Sequence, residues 1–290
     1  MESNTIGCAD WEEFEARLAE QVGARKATAD RSPDRHFSGF LFRGQRESSW
    51  GLESTLERSG FENMSLDSYY RSLWRVQPAL ETLLPSQFDR LGQEGYDEWK
   101  KRNVSLMHGA EPYGYPFMGF LRHHGFPSPL IDWSRSPYVA AFFAFADVSP
   151  NADRVAIYVY QERVGDGKAG SSSKPYIQTL GPYAVVHRRH VLQQSHYTQC
   201  VQNDAGRWYY VSHESAFGRP GHAQQDLLWK YTIPARESLK VLQRLDEHNL
   251  NAYSLFASDE ALVKTLAFRE LLSRPFAMDL RNGGAREPGG

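Results

Sequence analysis

The stretch from Arg122 to Ala146, RHHGFPSPLIDWSRSPYVAAFFAFA, restricts the fold of this 290-residue chain more than any other part of it. Pro127 and Pro129 exclude a continuous helix through its first half, because a proline fixes its own φ and biases the preceding residue toward extended geometry. Ser136 followed by Pro137 is typical of an N-cap and a first helical residue. A small-residue, aromatic-rich helix is therefore predicted to begin at Pro137.

On this interpretation Asp132 lies on a short extended segment just before the helix. A carboxylate beside Leu130, Ile131 and Trp133 is costly to bury unless a specific group pairs with it. Successive side chains of an extended segment alternate between faces. We therefore expect Asp132 to face a polar site and Trp133 to pack beneath the helix around Ala140–Ala144.

The cation that could pair with Asp132 occurs upstream, in Phe40-Leu41-Phe42-Arg43-Gly44-Gln45. Arg43 ends a short apolar run, and Gly44 permits close approach of the backbone to a ligand. Because an unpaired charge in an apolar strand is costly, Arg43 and Asp132 are predicted to meet directly or through one water. Both a structural ion pair and a ligand site are consistent with this contact.

These segments together resemble the FRG domain, a family named for its Phe-Arg-Gly motif. Its second motif, His-His/Tyr-Gly-x-Pro-[ST]-x-Leu-x-Asp-Trp-[ST], is matched from His123 to Ser134. The segment from His190 to Thr198 is similar to a third, glutamine-containing stretch of the family. The resemblance covers roughly residues 38–270 and departs from the common pattern at Pro129 and Ser195.

The motif order also resembles ADP-ribosyltransferase-like proteins, which use NAD as donor. The residues that this resemblance implies for NAD binding are Arg43, Gly44, Ser128, Ser134 and His123. The implied catalytic residues are Arg43, Asp132 and Gln194, with Glu214 as a fallback for the glutamate of many transferases. A guanidinium at Arg43 would bind the pyrophosphate bidentately.

The resemblance implies an NAD-dependent ADP-ribosyltransferase-like bacterial effector, a toxin or phage-defence component. An antitoxin or chaperone would then be a further partner. The alternative is a non-catalytic ligand-binding or partner-binding module in which the same residues form a polar core. No Walker loop, Gly-x-Gly-x-x-Gly, Gly-x-Ser-x-Gly or Cys-x-x-Cys pattern occurs in the sequence, which disfavours those other enzyme classes.

A basic and aromatic segment indicates a nucleic acid acceptor. Arg188 and Arg189, between two histidines, could contact phosphates, and Tyr209 could stack on a base. The net charge of the chain is only -2, so a local group of positive charges would have to attract the nucleic acid. A solvated surface segment is the alternative interpretation.

Metal binding and membrane insertion are both disfavoured by the sequence. Adjacent side chains of an extended segment or turn point in opposite directions, so His123 and His124 cannot easily chelate one ion together. The longest apolar run, Tyr138 to Ala146, is too short to span a bilayer. With 2 cysteines far apart and no signal-like N-terminus, a reducing cytoplasm is expected.

The alternation and helix patterns together predict an α+β fold. The resemblance to ADP-ribosyltransferase-like proteins implies a single domain with a central, mostly antiparallel, split sheet flanked by helices. The predicted divisions are an N-terminal helical appendage over 1–37, the FRG domain over 38–273 and a Gly-rich flexible tail over 274–290.

Overall fold

A computed structural model describes residues 4–32, 34–83, 88–103, 111–165, 167–181, 188–217 and 224–273. This part of the chain has a mixed α/β fold in which one many-stranded sheet is flanked by helices, as predicted. The predicted tail, 274–290, lies outside the described residues. Among the described residues, every helix is too short or too polar to cross a lipid bilayer.

The strands are β1 (Thr5–Gly7), β2 (His36–Phe37), β3 (Phe40–Gln45), β4 (Ile131–Ser134), β5 (Arg154–Gly165), β6 (Tyr176–Leu180), β7 (Ser195–Asp204), β8 (Arg207–Tyr210) and β9 (Gln225–Pro234). The helices are α1 (Trp11–Asp30), α2 (Thr55–Arg58), α3 (Leu66–Leu83), α4 (Gln93–Arg102), α5 (Tyr115–His123), α6 (Pro137–Phe145), α7 (Arg188–Leu192), α8 (Ser238–Glu247), α9 (Ala252–Phe256) and α10 (Asp259–Ala267).

The order of the main strands in the sheet is β1-β9-β5-β3-β4-β7-β6, with β2 paired to β5 and β8 paired to β7. β1 runs parallel to β9, and the other described pairs are antiparallel. The prediction of a mostly antiparallel sheet is therefore confirmed.

The pairing of β3 with β4 is much shorter than its other pairing. Among the described residues, the register of β3 and β4 consists of the pair Phe42 and Ser134. β3 matches β5 from Phe40 to Gln45, over its whole length. β3 and β4 therefore separate on the side of Arg43 and Asp132.

Helix α6 begins where the sequence predicts. The Ser136 hydroxyl accepts a hydrogen bond from the Val139 N–H at 3.3 Å, and Pro137 occupies the first turn. Six of the nine residues of α6 are buried, so the helix lies deep against the sheet. A Cβ at Gly44 would lie 1.9 Å from the Ala140 carbonyl oxygen, so β3 and α6 can be this close only because residue 44 is glycine.

The N-terminal helix α1 belongs to the main core. Asp10 caps α1 by accepting a hydrogen bond from the Glu13 N–H at 2.8 Å. Trp11, Phe14 and Leu18 are buried in the cluster that contains the α6 side chains. The segment predicted as an appendage therefore packs against the sheet, and β1 before it adds to the sheet edge.

The two faces of the sheet are covered differently. One face carries helices, with clusters built from α1, α6 and α8 and from α3, α4 and α5. The other face carries a smaller cluster that includes Leu52 and Ala216. Trp133 belongs to this smaller cluster, so the prediction that it packs beneath α6 is wrong. The alternation of β4 holds, but it places Trp133 on the face away from the helix.

Candidate functional site

A cavity of about 810 Å³ opens beside the ends of β3 and β4. Its polar end is lined by Arg43, Arg58, Arg122, His123 and Asp132. Its other end reaches aromatic side chains of α6 and α9, including Phe143 and Phe256. The fold therefore brings together three predicted site residues, Arg43, His123 and Asp132, at one end of a concave site.

Asp132 has two arginine neighbours. The Nη2 of Arg122 donates to Asp132 Oδ2, and the Nε of Arg122 donates to the Leu130 carbonyl oxygen at 3.3 Å. The Nη1 of Arg43 donates to the Asp132 carbonyl oxygen at 2.8 Å and lies 3.9 Å from Oδ2. The predicted contact of Arg43 with Asp132 is confirmed, although its shorter part involves the backbone.

Arg43 reaches Asp132 through the separation of the strands. Arg43 is opposite Tyr158 in the register with β5, and Tyr158 belongs to the cluster away from the helices. Asp132 is opposite Tyr197 of β7, which belongs to a helix-side cluster. Because paired residues share a face, Arg43 and Asp132 project from opposite faces and meet where β3 and β4 part.

Positive charge exceeds negative charge at this end of the cavity. Arg58, at the end of α2, is exposed, and its guanidinium makes no hydrogen bond or ion pair with any described residue. Burial lowers the pKa of Arg43 to about 10, with Arg122 and Arg58 adding to the effect and Asp132 opposing it. Arg43 remains charged at neutral pH, so the arginines repel one another around the Asp132 carboxylate.

The atoms of Asp132 are not all engaged. Its Oδ1 is buried and has no hydrogen-bond partner among the described residues. Buried polar atoms without partners are uncommon in native proteins, and each one needs an explanation. Since the side chain as a whole is 34% exposed and lines the cavity, a ligand hydroxyl could reach this oxygen.

His123 lies at the C-terminal end of α5 and also lines the cavity. The phenol of Tyr197 lies 2.8 Å from its Nε2. Burial raises the pKa of Tyr197, so this phenol keeps its proton and shares a hydrogen bond with the imidazole. The ring of His190 lies 5.4 Å from the Tyr197 ring, and burial lowers the pKa of His190. His123 is thus held by the sheet at the edge of the cavity.

The opposite side of β4 is sealed. Trp133 donates from Nε1 to Thr198 Oγ1 at 2.8 Å, and Thr198 Oγ1 lies 3.0 Å from His213 Nε2. Burial lowers the pKa of His213 to about 3, and nearby Arg43 adds to the effect. His213 is therefore neutral, shares a hydrogen bond with the Thr198 hydroxyl through Nε2 and supports the strand from behind.

The two predicted ribose-contacting serines are placed differently. Ser128 is fully buried, and its hydroxyl accepts from the Leu130 N–H at 3.2 Å. It is not among the described residues that line the cavity. Ser134 does line the cavity, although its hydroxyl donates to the Gln193 carbonyl oxygen at 2.8 Å and accepts from the Ser136 N–H at 3.0 Å. The Ser128 hydroxyl therefore stabilises the segment before β4, and the Ser134 hydroxyl stabilises the turn into α6.

Gly44 and the glutamine pair also differ from their predicted roles. The Cβ direction of Gly44 is filled by α6, so its lack of a side chain serves helix packing. Gln194 is exposed and has a φ of 50°, in the left-handed region. It is Gln193 that lines the cavity, with its Nε2 donating to the Leu255 carbonyl oxygen at 3.2 Å. The fallback residue, Glu214, accepts from the Leu52 N–H at 2.9 Å behind the sheet.

The predicted nucleic-acid residues lie on two different elements, α7 and β8. Arg188 is exposed at the start of α7, whereas Arg189 lies over the Phe256 ring at 5.3 Å and lines the cavity. Tyr209 lies in β8, opposite Gln202, and forms a bridge with Ser65. His187, the histidine that precedes Arg188, lies outside the described residues.

Three site residues were missed from the sequence. Arg122 is adjacent to His123 in the motif, so its position could have been noted there. Trp50 and Arg58 follow the Arg43 motif closely in the sequence, in the loop after β3 and at the end of α2. No spacing rule connects either residue with Asp132. Within the described residues, no group of three or more His, Cys, Asp or Glu side chains is arranged to hold a metal ion.

The family comparison agrees with this geometry. Residues 38–153 match the family model of the FRG domain. This chain contains an FRG domain. The matched region runs from β3 to α6 and thus includes Arg43, Arg58, Arg122 and Asp132. No curated protein and no solved structure matches the chain.

Proposed function

We propose that the FRG domain of this chain binds NAD as a substrate and transfers its ADP-ribosyl group to an acceptor. The observation that carries the proposal is the surplus of positive charge where Arg43, Arg58 and Arg122 surround Asp132. Guanidinium groups bind phosphate oxygens in bidentate geometry, and a diphosphate would neutralise this surplus. The cavity volume of about 810 Å³ is in the range of small-molecule sites.

The chain offers a second contact for the sugar. Asp132 Oδ1 has no hydrogen-bond partner in the part of the chain that the structure describes, whereas Oδ2 accepts from Arg122. A ribose hydroxyl that donates to Oδ1 would satisfy a buried acceptor and fix the sugar relative to the arginines. In this scheme Arg122 positions the carboxylate, and Asp132 orients the ribose or the acceptor.

The transfer needs positioning and electrostatic stabilisation more than covalent help from the protein. The bond between ribose C1′ and nicotinamide breaks, and nicotinamide leaves with the bonding electron pair. A nucleophilic atom of the acceptor forms the new bond to C1′ and gives up its proton to water. Arginines that hold the diphosphate would place C1′ beside the mouth of the cavity, where the acceptor enters.

The biological setting is part of the same proposal. The acceptor is a nucleic acid, and the enzyme acts as a toxin or phage-defence effector that an antitoxin or chaperone controls. Cys8 and Cys200 are both free and buried, which supports the cytoplasmic location expected from the sequence.

A non-catalytic binding module is the second candidate. Two observations favour it: Asp132 already accepts from Arg122, and Gln194, a predicted catalytic residue, is exposed outside the cavity lining formed by the described residues. In this case the arginines bind the same phosphates, and ligand binding changes the contacts of the domain with a partner.

The test uses Arg58, because its replacement breaks no hydrogen bond or ion pair with the described residues. Arg58→Ala should weaken NAD binding about tenfold, the usual value of one charge-assisted contact. Arg236→Ala is the matched control, since Arg236 is also exposed but does not line the cavity. Binding is measured by calorimetry, and nicotinamide release is measured with RNA, DNA or cell lysate as acceptor.

The outcomes separate the two candidates. Nicotinamide release that depends on Arg58 and Arg43 supports the transferase. Binding of NAD without release in the presence of any acceptor supports the binding module. A wild-type chain that binds neither NAD nor ADP-ribose contradicts both.

A further inference from the structure

Trp50 is a large aromatic side chain that the fold leaves 39% exposed. It lies in the loop after β3 and lines the same cavity as Arg43 and Arg58. Tryptophan is usually well covered in folded proteins, because its ring carries a large apolar surface. An exposed tryptophan at the mouth of an arginine-lined cavity therefore indicates a contact with a ligand.

The loop that carries Trp50 is fixed by hydrogen bonds to the carbonyl oxygens of Trp50 and Gly51. The Trp50 carbonyl oxygen accepts from the Tyr158 hydroxyl at 3.1 Å and from Lys230 Nζ at 3.2 Å. The carbonyl oxygen of the next residue, Gly51, accepts from Gln45 Nε2 at 2.9 Å. These bonds hold the backbone to the sheet while the ring remains outside the core. A ring held in this way loses little conformational freedom on binding.

Arg46 completes the feature. Its guanidinium lies 5.8 Å from the centre of the Trp50 ring, and both residues line the cavity. An aromatic ring beside arginines is a common arrangement for stacking on a nucleobase, because every base has a π-face. The two carboxylates next to the loop already accept backbone hydrogen bonds. Glu47 accepts from the Ser49 N–H at 3.1 Å, and Glu214 accepts from the Leu52 N–H at 2.9 Å.

We infer that Trp50 stacks on the base of a nucleotide whose phosphates contact Arg43, Arg58 and Arg122. The ligand is thereby assigned a base as well as phosphates, and Trp50 becomes the residue that selects for the base. Only the phosphate contacts in this inference rest on the proposed function. The base has two chemical sources, the adenosine half of NAD and an unpaired nucleotide of a nucleic acid acceptor.

The experiment compares probes with and without a base. Wild-type chain, Trp50→Ala and Trp50→Phe are titrated with inorganic pyrophosphate, ADP-ribose, NAD and a short single-stranded oligonucleotide. Trp50→Ala should weaken a base-containing probe about tenfold and leave pyrophosphate unchanged, because one stacked base is lost. Trp50→Phe should keep most of the affinity, since it keeps a ring.

Tyr253→Ala is the matched control. Tyr253 is 48% exposed on α9 and is not among the described residues that line the cavity. Its removal should change none of the titrations. A loss confined to NAD and ADP-ribose assigns the stacked base to the donor, and a loss confined to the oligonucleotide assigns it to the acceptor strand.

Two results overturn the inference. An equal loss of pyrophosphate binding in Trp50→Ala shows that Trp50 only supports the loop, and unchanged binding of every base-containing probe shows that it does not stack. The proposed function fails separately if the wild-type chain binds these probes with the Trp50 dependence but releases no nicotinamide from NAD. A wild-type chain that binds none of the probes contradicts both.

Discussion

Two clusters of charged side chains in this molecule differ in the balance of positive and negative charge and in their access to solvent. In the sealed cluster, Lys168 donates to Asp226 Oδ1 at 2.6 Å and lies 3.5 Å from Glu162 Oε1. Tyr160 also donates to Asp226 at 2.6 Å, and the Lys168 and Asp226 side chains are 3% and 8% exposed. Burial raises the pKa of Asp226, and Lys168 opposes this rise. In the same cluster Arg163 lies 3.6 Å from Glu162 Oε2, so two cations face two carboxylates.

The open cluster around Asp132 has the reverse properties. Arg43, Arg58 and Arg122 bring more positive charge than Asp132 balances, and the cavity connects them to solvent. A buried cluster whose donors and acceptors satisfy one another is costly to break but has nothing left to offer a ligand. A cluster with surplus charge beside a cavity is incomplete until an anion binds. Charge balance thus distinguishes this structural, sealed cluster from the binding site better than burial does.

The largest effect is expected from a substitution that disrupts the sealed cluster. Lys168→Met should lower the free energy of unfolding by about 3–5 kcal/mol, because it leaves Asp226 buried without its cation. Urea denaturation measures the change, with Lys174→Met as control, since Lys174 is exposed in the same loop. A loss below about 1 kcal/mol would mean that the cluster is not structural.

The second prediction concerns the sealed side of β4, directly behind the open cluster. Trp133→Ala should lower the free energy of unfolding by about 3–5 kcal/mol, since it removes a 3% exposed indole and its bond to Thr198. Trp50→Ala is the control of equal size, and its thermal midpoint should remain near that of the wild type. Equal losses in the two variants would contradict the assignment of Trp50 to a ligand surface.

The third prediction uses pH to test the sealed side. The pKa of His213 is lowered to about 3 by burial, so below pH 6.5 the unfolded chain binds a proton that the folded chain does not. Stability should therefore fall as the pH falls from 6.5, by about 2 kcal/mol at pH 5 from this group. Denaturation of His213→Gln across this range should show a shallower pH dependence. An unchanged slope would place the titrating group elsewhere.

The smallest effect sharpens the description of the open cluster. Asp132→Asn removes the negative charge nearest the arginines, so pyrophosphate should bind about tenfold more tightly while NAD turnover is lost. Its effect on stability should be smaller than that of Trp133→Ala, because Asp132 is 34% exposed. Asp147→Asn, a cavity-lining control at an exposed position, should change binding less. Weaker pyrophosphate binding in Asp132→Asn would mean that the carboxylate organises the arginines for the ligand.

The sequence was sufficient where the chemistry is local. Ser136 and Pro137 predict the start of α6 because capping depends on adjacent residues. The contact of Arg43 with Asp132 followed from the cost of leaving either charge unpaired in an apolar strand. The mostly antiparallel sheet followed from alternation and from the family resemblance.

The sequence was insufficient where position depends on tertiary packing. Alternation separates Asp132 from Trp133 but does not say which face carries α6, so Trp133 was placed on the wrong side. Arg122 reaches Asp132 from a helix, and helical periodicity does not show which strand the helix packs against. Gln194 was preferred to Gln193 because a left-handed φ cannot be read from a glutamine pair.

The short pairing of β3 with β4 affects how the sheet exchanges its amide protons. Its register holds the one described pair of Phe42 with Ser134, whereas six residues of β3 pair with β5. Local opening along the β3–β4 line breaks few backbone bonds, so we expect faster deuterium uptake there than at the centre of β5. A ligand that contacts Arg43 on one side of this line and Arg122 on the other would hold the two sides together and slow that uptake.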